Sequence, residues 1–576
     1  MRKIYLTCLF IFIFSQRVFS QTIDLEPITV TYKEFSSRSI NTLTGRYIES
    51  LPVHSVDEAV RFLPGIELKR RNSFGTQQDL SIRGSSFEDV DIRLDGIRVN
   101  DPQTGHFSME IPFTIYDIEK IEVNKGTHTV DYRIKRPDKN GGAFRASFGQ
   151  HALGTQTFSF NFGNDAIKNR LSVDHKASSG GRQDTDFDHY NFTFYSVLGE
   201  KDNELSFLYA DQEKDFGAST FYSAGFPHQA ETTGQRFFKL AHQLKKKKFT
   251  LHNALYFRRH YDRFLLDRHN PSFFENQHTT YVYGGQSLLT LYDAIDIHTD
   301  IAKEKLTSTS LGNHSRIRKT AGIRVHPAFS DFFFIEAGNR FIHSQGTGGD
   351  MEWNAKLGFL PQKGFEIDFI YNRLIRTPSF TELYYNSPAN IGDSSLDPEK
   401  INNFEIMASV SAGQMKFHAG IFLKDYFDTI DWVKNAAGAP WRARNIGDNT
   451  AKGIECGFIW KIDNPVMRNI STNYTYLHSA DKEYHFSKYL FDYDKHRLTT
   501  GVNLSLFSAD IHIFNHLVRP RQRNNYVTTD VRIAKEIKEG FSLFLEGTNI
   551  FNRGYHELTD VKAQGRWWQA GAQYYF

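Results

Sequence analysis

Residues able to do chemistry are plentiful in this chain, but their spacing is not that of an enzyme. It carries 23 His and only two Cys, Cys8 and Cys456. The histidines are scattered, with no zinc-protease helix motif, nucleophile elbow or phosphate-cradling glycine loop among them. No catalytic residue, resident metal or cofactor is therefore expected. Two cysteines exclude a disulfide scaffold and a cysteine zinc site. Asp184 and Asp186 form an acid pair that could take a cation, though in a loop they read as solvated rim charges. Two other segments suit binding. Arg71–Gln78 holds Asn72, Phe74, Gln77 and Gln78, and Asn100–Phe107 holds Gln103, His106 and Phe107. Amides beside rings fit a large polar ligand with apolar faces, held without being transformed. A lone loop histidine such as His106 reads as polar surface.

These segments must be positioned by a chain of 576 residues, 40% hydrophobic and 23% charged, the balance of a folded protein. Net charge is +3, so no basic field points to nucleic acid. Lys245–Lys248 read as a solvated tight turn. Arg2 and Lys3, the apolar run Ile4–Phe14, and Val18 and Ser20 before Gln21 have the layout of an export signal over residues 1–20. Residues 40–125 read as a small α/β domain. Its short helix, Ser55–Leu63, has Ser55 as N-cap and Glu58 three residues on; Pro64–Gly65 ends it. Short strands follow at Gly65–Leu68, Asp79–Arg83, Asp91–Asp95 and Lys120–Val123.

Beyond Gly141 the period is two throughout. Phe158 and Phe160 alternate with Thr157 and Ser159, and Tyr190, Phe192 and Phe194 with Asn191 and Thr193. Aromatics reach 15%, with 51 Phe and 27 Tyr, as suits many strands with rings at an apolar boundary. Twenty-two strands are expected, among them 415–434 and 440–462. Connections alternate between tight (199–203, 245–248, 538–540) and long (179–188, 212–233, 374–399, 551–564). Sorting by parity puts tight turns at one rim and long loops at the other, the habit of an outer-membrane β-barrel rather than a row of sandwiches. The final strand carries Trp568, Ala570, Ala572, Tyr574 and Phe576 on one face and closes the barrel.

Several ordered motifs carry a family resemblance. They are Glu26–Pro27–Ile28–Thr29–Val30–Thr31, Leu51–Pro52, Leu63–Ile66, Leu80–Gly84, Arg93–Ile97 and Ile118–Val123 with Lys125–Gly126. In the barrel they continue with Arg376–Tyr384, Leu396–Glu399, Asn403–Glu405, Gly453–Glu455 and Gly547–Asn552. Together they resemble the TonB-dependent outer-membrane receptors. The resemblance implies a 22-stranded antiparallel transmembrane barrel (141–576) around a small α/β plug (40–140), preceded by a TonB-box segment and linker (21–39). Glu26, Pro27, Ile28, Thr29, Val30 and Thr31 would pair with TonB, the energy-transducing protein of the inner membrane, by strand addition. Arg83, Gly84, Arg93, Asp95 and Gly96 would hold the plug together. Arg83 and Arg93 are expected to meet Glu88, Asp95 or Glu122, or carboxylates of the barrel lumen. The two amide-and-ring segments become apical plug loops facing the substrate. One departure stands out: about a dozen residues expected after Gly126 are absent, so the plug either lacks a strand or is reshaped.

The expected function is energised import of a scarce large nutrient, cobalamin first, because the chain is short for the family and Asn100–His106 is similar to a segment of cobalamin-type receptors. A ferric siderophore or haem is the alternative, and a surface lipoprotein cap a further partner. From other classes, an adhesin would use the long loops for protein contact, and a passive porin would lack residues 21–140.

Overall fold

The structure is a computed structural model and describes residues 41–479, 486–559 and 561–576, apart from 73, 223–224, 328–329 and 331. Twenty-two antiparallel strands close into one barrel, the fold class expected from the alternation together with the parity of the connections. The first, Gly141–Gly149, pairs with the last, Trp567–Tyr575. Gly142 N–H donates to the Phe576 carbonyl at 2.8 Å and Phe576 N–H to the Gly142 carbonyl at 3.0 Å, which seals the seam.

Register settles which face is apolar. Phe158, Val173 and Phe192 stand abreast on three adjacent strands, with Val173 and Phe192 38% and 36% exposed. One residue along, Thr157, Asp174 and Asn191 form the inner row, buried and hydrogen bonded. Thr157 Oγ1 donates to Asp174 Oδ1 at 2.6 Å and Asn191 Nδ2 to Oδ2 at 3.3 Å. An apolar outside and a polar, satisfied inside is the arrangement of a barrel in lipid. Two-residue turns at 201–202, 247–248, 363–364 and 507–508 share one rim, and the long connections 377–398, 428–448 and 549–566 share the other. Ala230–Lys246, Phe249–Leu265 and Glu275–Leu291 each run 17 residues. About 9–11 tilted residues cross a bilayer, so these strands raise the wall past the membrane on the loop side.

The lumen holds the α/β body: β1 (Thr42–Thr44), a helix Gly45–Ser50, a 3-10 helix Asp57–Phe62, β2 (Ile66–Arg70), β3 (Gln78–Ile82), β4 (Asp91–Leu94), β5 (Ile97–Arg98), β6 (Ile118–Asn124) and β7 (Thr129–Ile134). β2 and β3 make a hairpin, and the others a sheet in the order β1-β6-β7-β4-β5. Ile48, Ile66, Ile82, Ile92, Ile121 and Tyr132 form its fully buried core. β7 lies in the middle, antiparallel to β6 and parallel to β4. It follows β6 after only Lys125–His128, so the sheet is continuous without the residues missing after Gly126.

Two local expectations are corrected. Ser55 does not cap a helix: Val56 holds that position without a side-chain bond, and Glu58 accepts instead from His54 N–H at 3.1 Å. The segment is squeezed between plug sheet and barrel wall, with every side chain from Asp57 to Phe62 buried, and tightens to a 3-10 helix. The strands expected at 415–434 and 440–462 are each broken. Met415–Phe427 ends at Asp428, whose φ is +54°, and Asn449–Lys461 resumes the barrel. Between them Ile430–Lys434 and Trp441–Asn445 leave the wall and form a small sheet with Asn390–Ile391 and Phe486–Ser487 above the loop rim. Alternation continues across such a break, which is why the sequence pattern does not mark it.

Candidate functional site

A ring of ion pairs holds plug to barrel, and Arg83 and Glu455 are fully buried members of it. Its guanidinium meets Glu405 at 2.7 Å and Glu455 at 2.9 Å, and lies 4.4 Å over the Phe422 ring. Lys125 adds a 2.5 Å contact to Glu455, and Lys424 donates to the Ile82 carbonyl at 2.8 Å. Burial disfavours the Arg83 charge, but the two glutamates outweigh it and hold the group protonated. Gly65, at φ +71°, makes room: a Cβ there would lie 1.9 Å from Glu455 Oε1. Around the circumference, Arg61 pairs with Asp530 at 2.7 Å, Arg70 with Glu557 at 2.6 Å, Asp89 with Arg376 at 2.8 Å, Asp101 with Arg258 at 2.6 Å and Asp95 with Lys239 at 3.2 Å. Arg83 thus takes lumen carboxylates, one of its expected partner sets. Arg93 takes Asp91, two residues away, at 2.6 Å, rather than Glu88, Asp95, Glu122 or the barrel. Asp95 and Gly96 form the β4–β5 turn with φ of +48° and +79°. Gly84, at φ +71°, abuts Leu477 of the wall.

The two amide-and-ring segments reach the loop rim, and outer loops cover both. Arg71 donates to the Phe221 carbonyl at 2.6 Å and to Asp79 at 3.0 Å. Asn72 Nδ2 donates to the Thr185 carbonyl at 3.0 Å and Gln77 to the Tyr222 hydroxyl at 2.7 Å. Phe74, at φ +64°, stacks on His54 and Phe187 at 4.1 and 5.1 Å and meets the edge of Trp567. Gln78 is buried in β3 with neither end of its amide hydrogen bonded among the described residues. In the second segment, Phe380 and Thr381 N–H donate to the Pro102 and Gln103 carbonyls, both at 2.9 Å. Phe107 packs on His260, with centroids 4.6 Å apart. His106 Nδ1 lies 2.6 Å from Asp79 Oδ1, its ring stacked on Phe87, with Tyr489 above. Burial pushes the Asp79 carboxyl up, but His106 and Arg71 outweigh it and hold it at about 2. In the small sheet overhead, burial pushes Asp431 up to about 6 although the Ser487 hydroxyl and the Trp432, Tyr489 and Leu490 amides donate to it.

All seven candidate ligand residues are thus within one region under the loops, and six of them, all but His106, are buried. The roof residues Phe221, Tyr222, Tyr489 and Trp567 were not singled out from the sequence. Nothing in their local pattern marks them, because the contacts that define them span 145 residues of chain or more. Glu405 and Glu455 end the Asn403–Glu405 and Gly453–Glu455 motifs, and their signal is an acid on the inner face of an alternating strand. Glu26–Thr31 and the export signal lie outside the described residues.

A family model for the TonB-dependent receptor plug domain matches residues 33–137, and one for the TonB-dependent receptor-like β-barrel matches 115–550. The vitamin B12 transporter BtuB of Vibrio vulnificus (strain YJ016) is 23% identical over 464 residues, covering 72% of each chain. Among solved structures, the siderophore receptor PirA of Acinetobacter baumannii has 14% identity and a TM-score of 0.76, covering 93% of this chain and 98% of its own. The FrpB iron transporter of Neisseria meningitidis has the same identity and TM-score over 93% and 99%.

Proposed function

The chain belongs to the TonB-dependent receptors, outer-membrane barrels that take large ligands, and from that premise we propose that it imports cobalamin, with TonB pulling on residues 26–31. The observation that carries the cargo is the match to a vitamin B12 transporter over 72% of both chains. The solved neighbours bear on fold alone, at 13–14% identity. Energised opening is supported by the plug itself. Its periphery is held by buried charge pairs and by apolar contact with Val197, Leu208, Phe237 and Phe514 of the wall, which do not separate without force. A passive pore has no use for such a plug. In the proposed cycle, Asn72, Phe74, Gln77, Gln78, Gln103, His106 and Phe107 meet cargo once the roof lifts. Traction on residues 26–31 then loosens the plug from below.

The test is uptake of radiolabelled cobalamin and of a ferric siderophore by cells carrying the protein with or without residues 26–31. Cobalamin uptake that is lost on deletion while surface binding remains is the expected result. Siderophore uptake alone would replace the cargo. Uptake of either ligand that survives the deletion would overturn the assignment of residues 26–31.

A further inference from the structure

We propose that Asp184, His228 and His269 form a binding site for a divalent transition-metal ion of the zinc class at the loop rim, whatever the imported cargo. The three residues come from successive outer connections, 179–186, 218–229 and 266–274. Each offers one ligand atom, and those atoms lie within 4.8 Å of one another. His228 Nδ1 is 2.6 Å from Asp184 Oδ2, and the two imidazoles meet at 69° rather than stacking, with centroids 4.9 Å apart.

The surrounding backbone holds this convergence in place. Asp184 has φ +51°, and its carbonyl accepts from Ser219 N–H at 3.2 Å. It lies so close to Gly217 that a Cβ there would approach it to 2.3 Å. Arg268 N–H donates to the His228 carbonyl at 2.8 Å, which brings His269 alongside. The Arg268 side chain grips Asp186 at 2.5 and 3.0 Å and reaches Asp184 Oδ1 at 3.4 Å. Asp184 is therefore steered through one oxygen while the other faces the histidines, as outer-shell partners orient a metal ligand. One guanidinium against two carboxylates leaves the cluster able to take positive charge.

Two imidazoles and a carboxylate suit Zn²⁺ or its neighbours, whereas Ca²⁺ and Mg²⁺ want oxygen ligands throughout. Three protein ligands leave a position for water. The ion would tie together the loops that cover Asn72 and Gln77 through Thr185 and Tyr222.

The full chain, purified in detergent without a histidine tag, would be titrated with Zn²⁺ against a chromophoric chelator. One Zn²⁺ per chain is expected, with affinity falling roughly tenfold or more in His269→Ala and His228→Ala. His269 is exposed, so its loss leaves the packing intact. His242→Ala, beside Asn203 near the opposite rim, should bind as the parent does. Zn²⁺ should also slow proteolysis within 218–229 in the parent but not in His269→Ala. Equal affinity in parent and both variants, or equal competition by Ca²⁺, would overturn the proposal.

Discussion

At the scale of single residues, Arg83 and Asp57 make opposite kinds of statement about charge in the lumen. Arg83 is fully buried but doubly paired, so removing it leaves Glu455 to Lys125 and Glu405 with only the neutral Asn403 amide against it among the described residues. Arg83→Ala should weaken plug docking by about 3–5 kcal/mol, read as urea-dependent protease access to residues 41–140. Ligand capture should change less, and unaltered protease resistance would refute the latch. Arg83→Lys keeps the charge but loses the fork, and should fall between. Asp57 is buried with no ion pair among the described residues, and burial pushes its carboxyl up to about 6 against the pull of Lys214 and Ser55. Its folded value lies above the unfolded value near 4, so between them the native state holds the extra proton. That contribution is fully favourable below about pH 4 and declines as pH rises through about 6, by about 3 kcal/mol. Asp57→Asn should therefore flatten the pH dependence of plug melting and stabilise the plug at pH 8. An unchanged profile would count against the buried-acid account.

At the scale of elements, period-two patterning makes the wall strands readable, because each buries one face and exposes the other, and the sorting of tight and long connections makes them a barrel. The same rule misplaces Ile430–Lys434 and Trp441–Asn445, which alternate equally well in a sheet that has left the wall. The plug was less readable. β1, the Gly45–Ser50 helix and β5 are too short to show a period, and β7 is buried along most of its length, so no stripe announces them. The candidate site was legible as two segments of suitable chemistry, but not as a covered one, because the cover is tertiary. Glycine is where sequence and packing meet most directly. Gly65→Ala combines a left-handed backbone with a collision against Glu455, and should cost about 1–3 kcal/mol or more of plug stability. Because the damage runs through Glu455, Gly65→Ala with Arg83→Ala should cost less than the two added. Additivity in that cycle would show that Gly65 acts elsewhere.

At the scale of the whole molecule, closure is the main problem a barrel solves, since an open edge would expose unpaired backbone to lipid. Here the seam ends on Phe576, bonded both ways to Gly142 and stacked outside with Phe158 and Phe160. Deleting Phe576 should lower the fraction of chain that resists unfolding by sodium dodecyl sulfate at room temperature. Wild-type resistance would show that the seven pairs from Gln569–Gly149 to Tyr575–Ala143 hold the seam by themselves.

The covered apical segments also set a clock. If cargo binds where Gln77, Gln103 and His106 now sit beneath Tyr222, Thr381 and Tyr489, only the minority of molecules with the roof lifted can receive it. Apparent affinity is then the intrinsic affinity diluted by that fraction. The observed association rate should climb with ligand concentration and then level off at the opening frequency of the loops. Mutations that loosen the Arg71–Phe221 and Gln77–Tyr222 contacts should raise that plateau while leaving the rate of escape from an opened complex nearly the same.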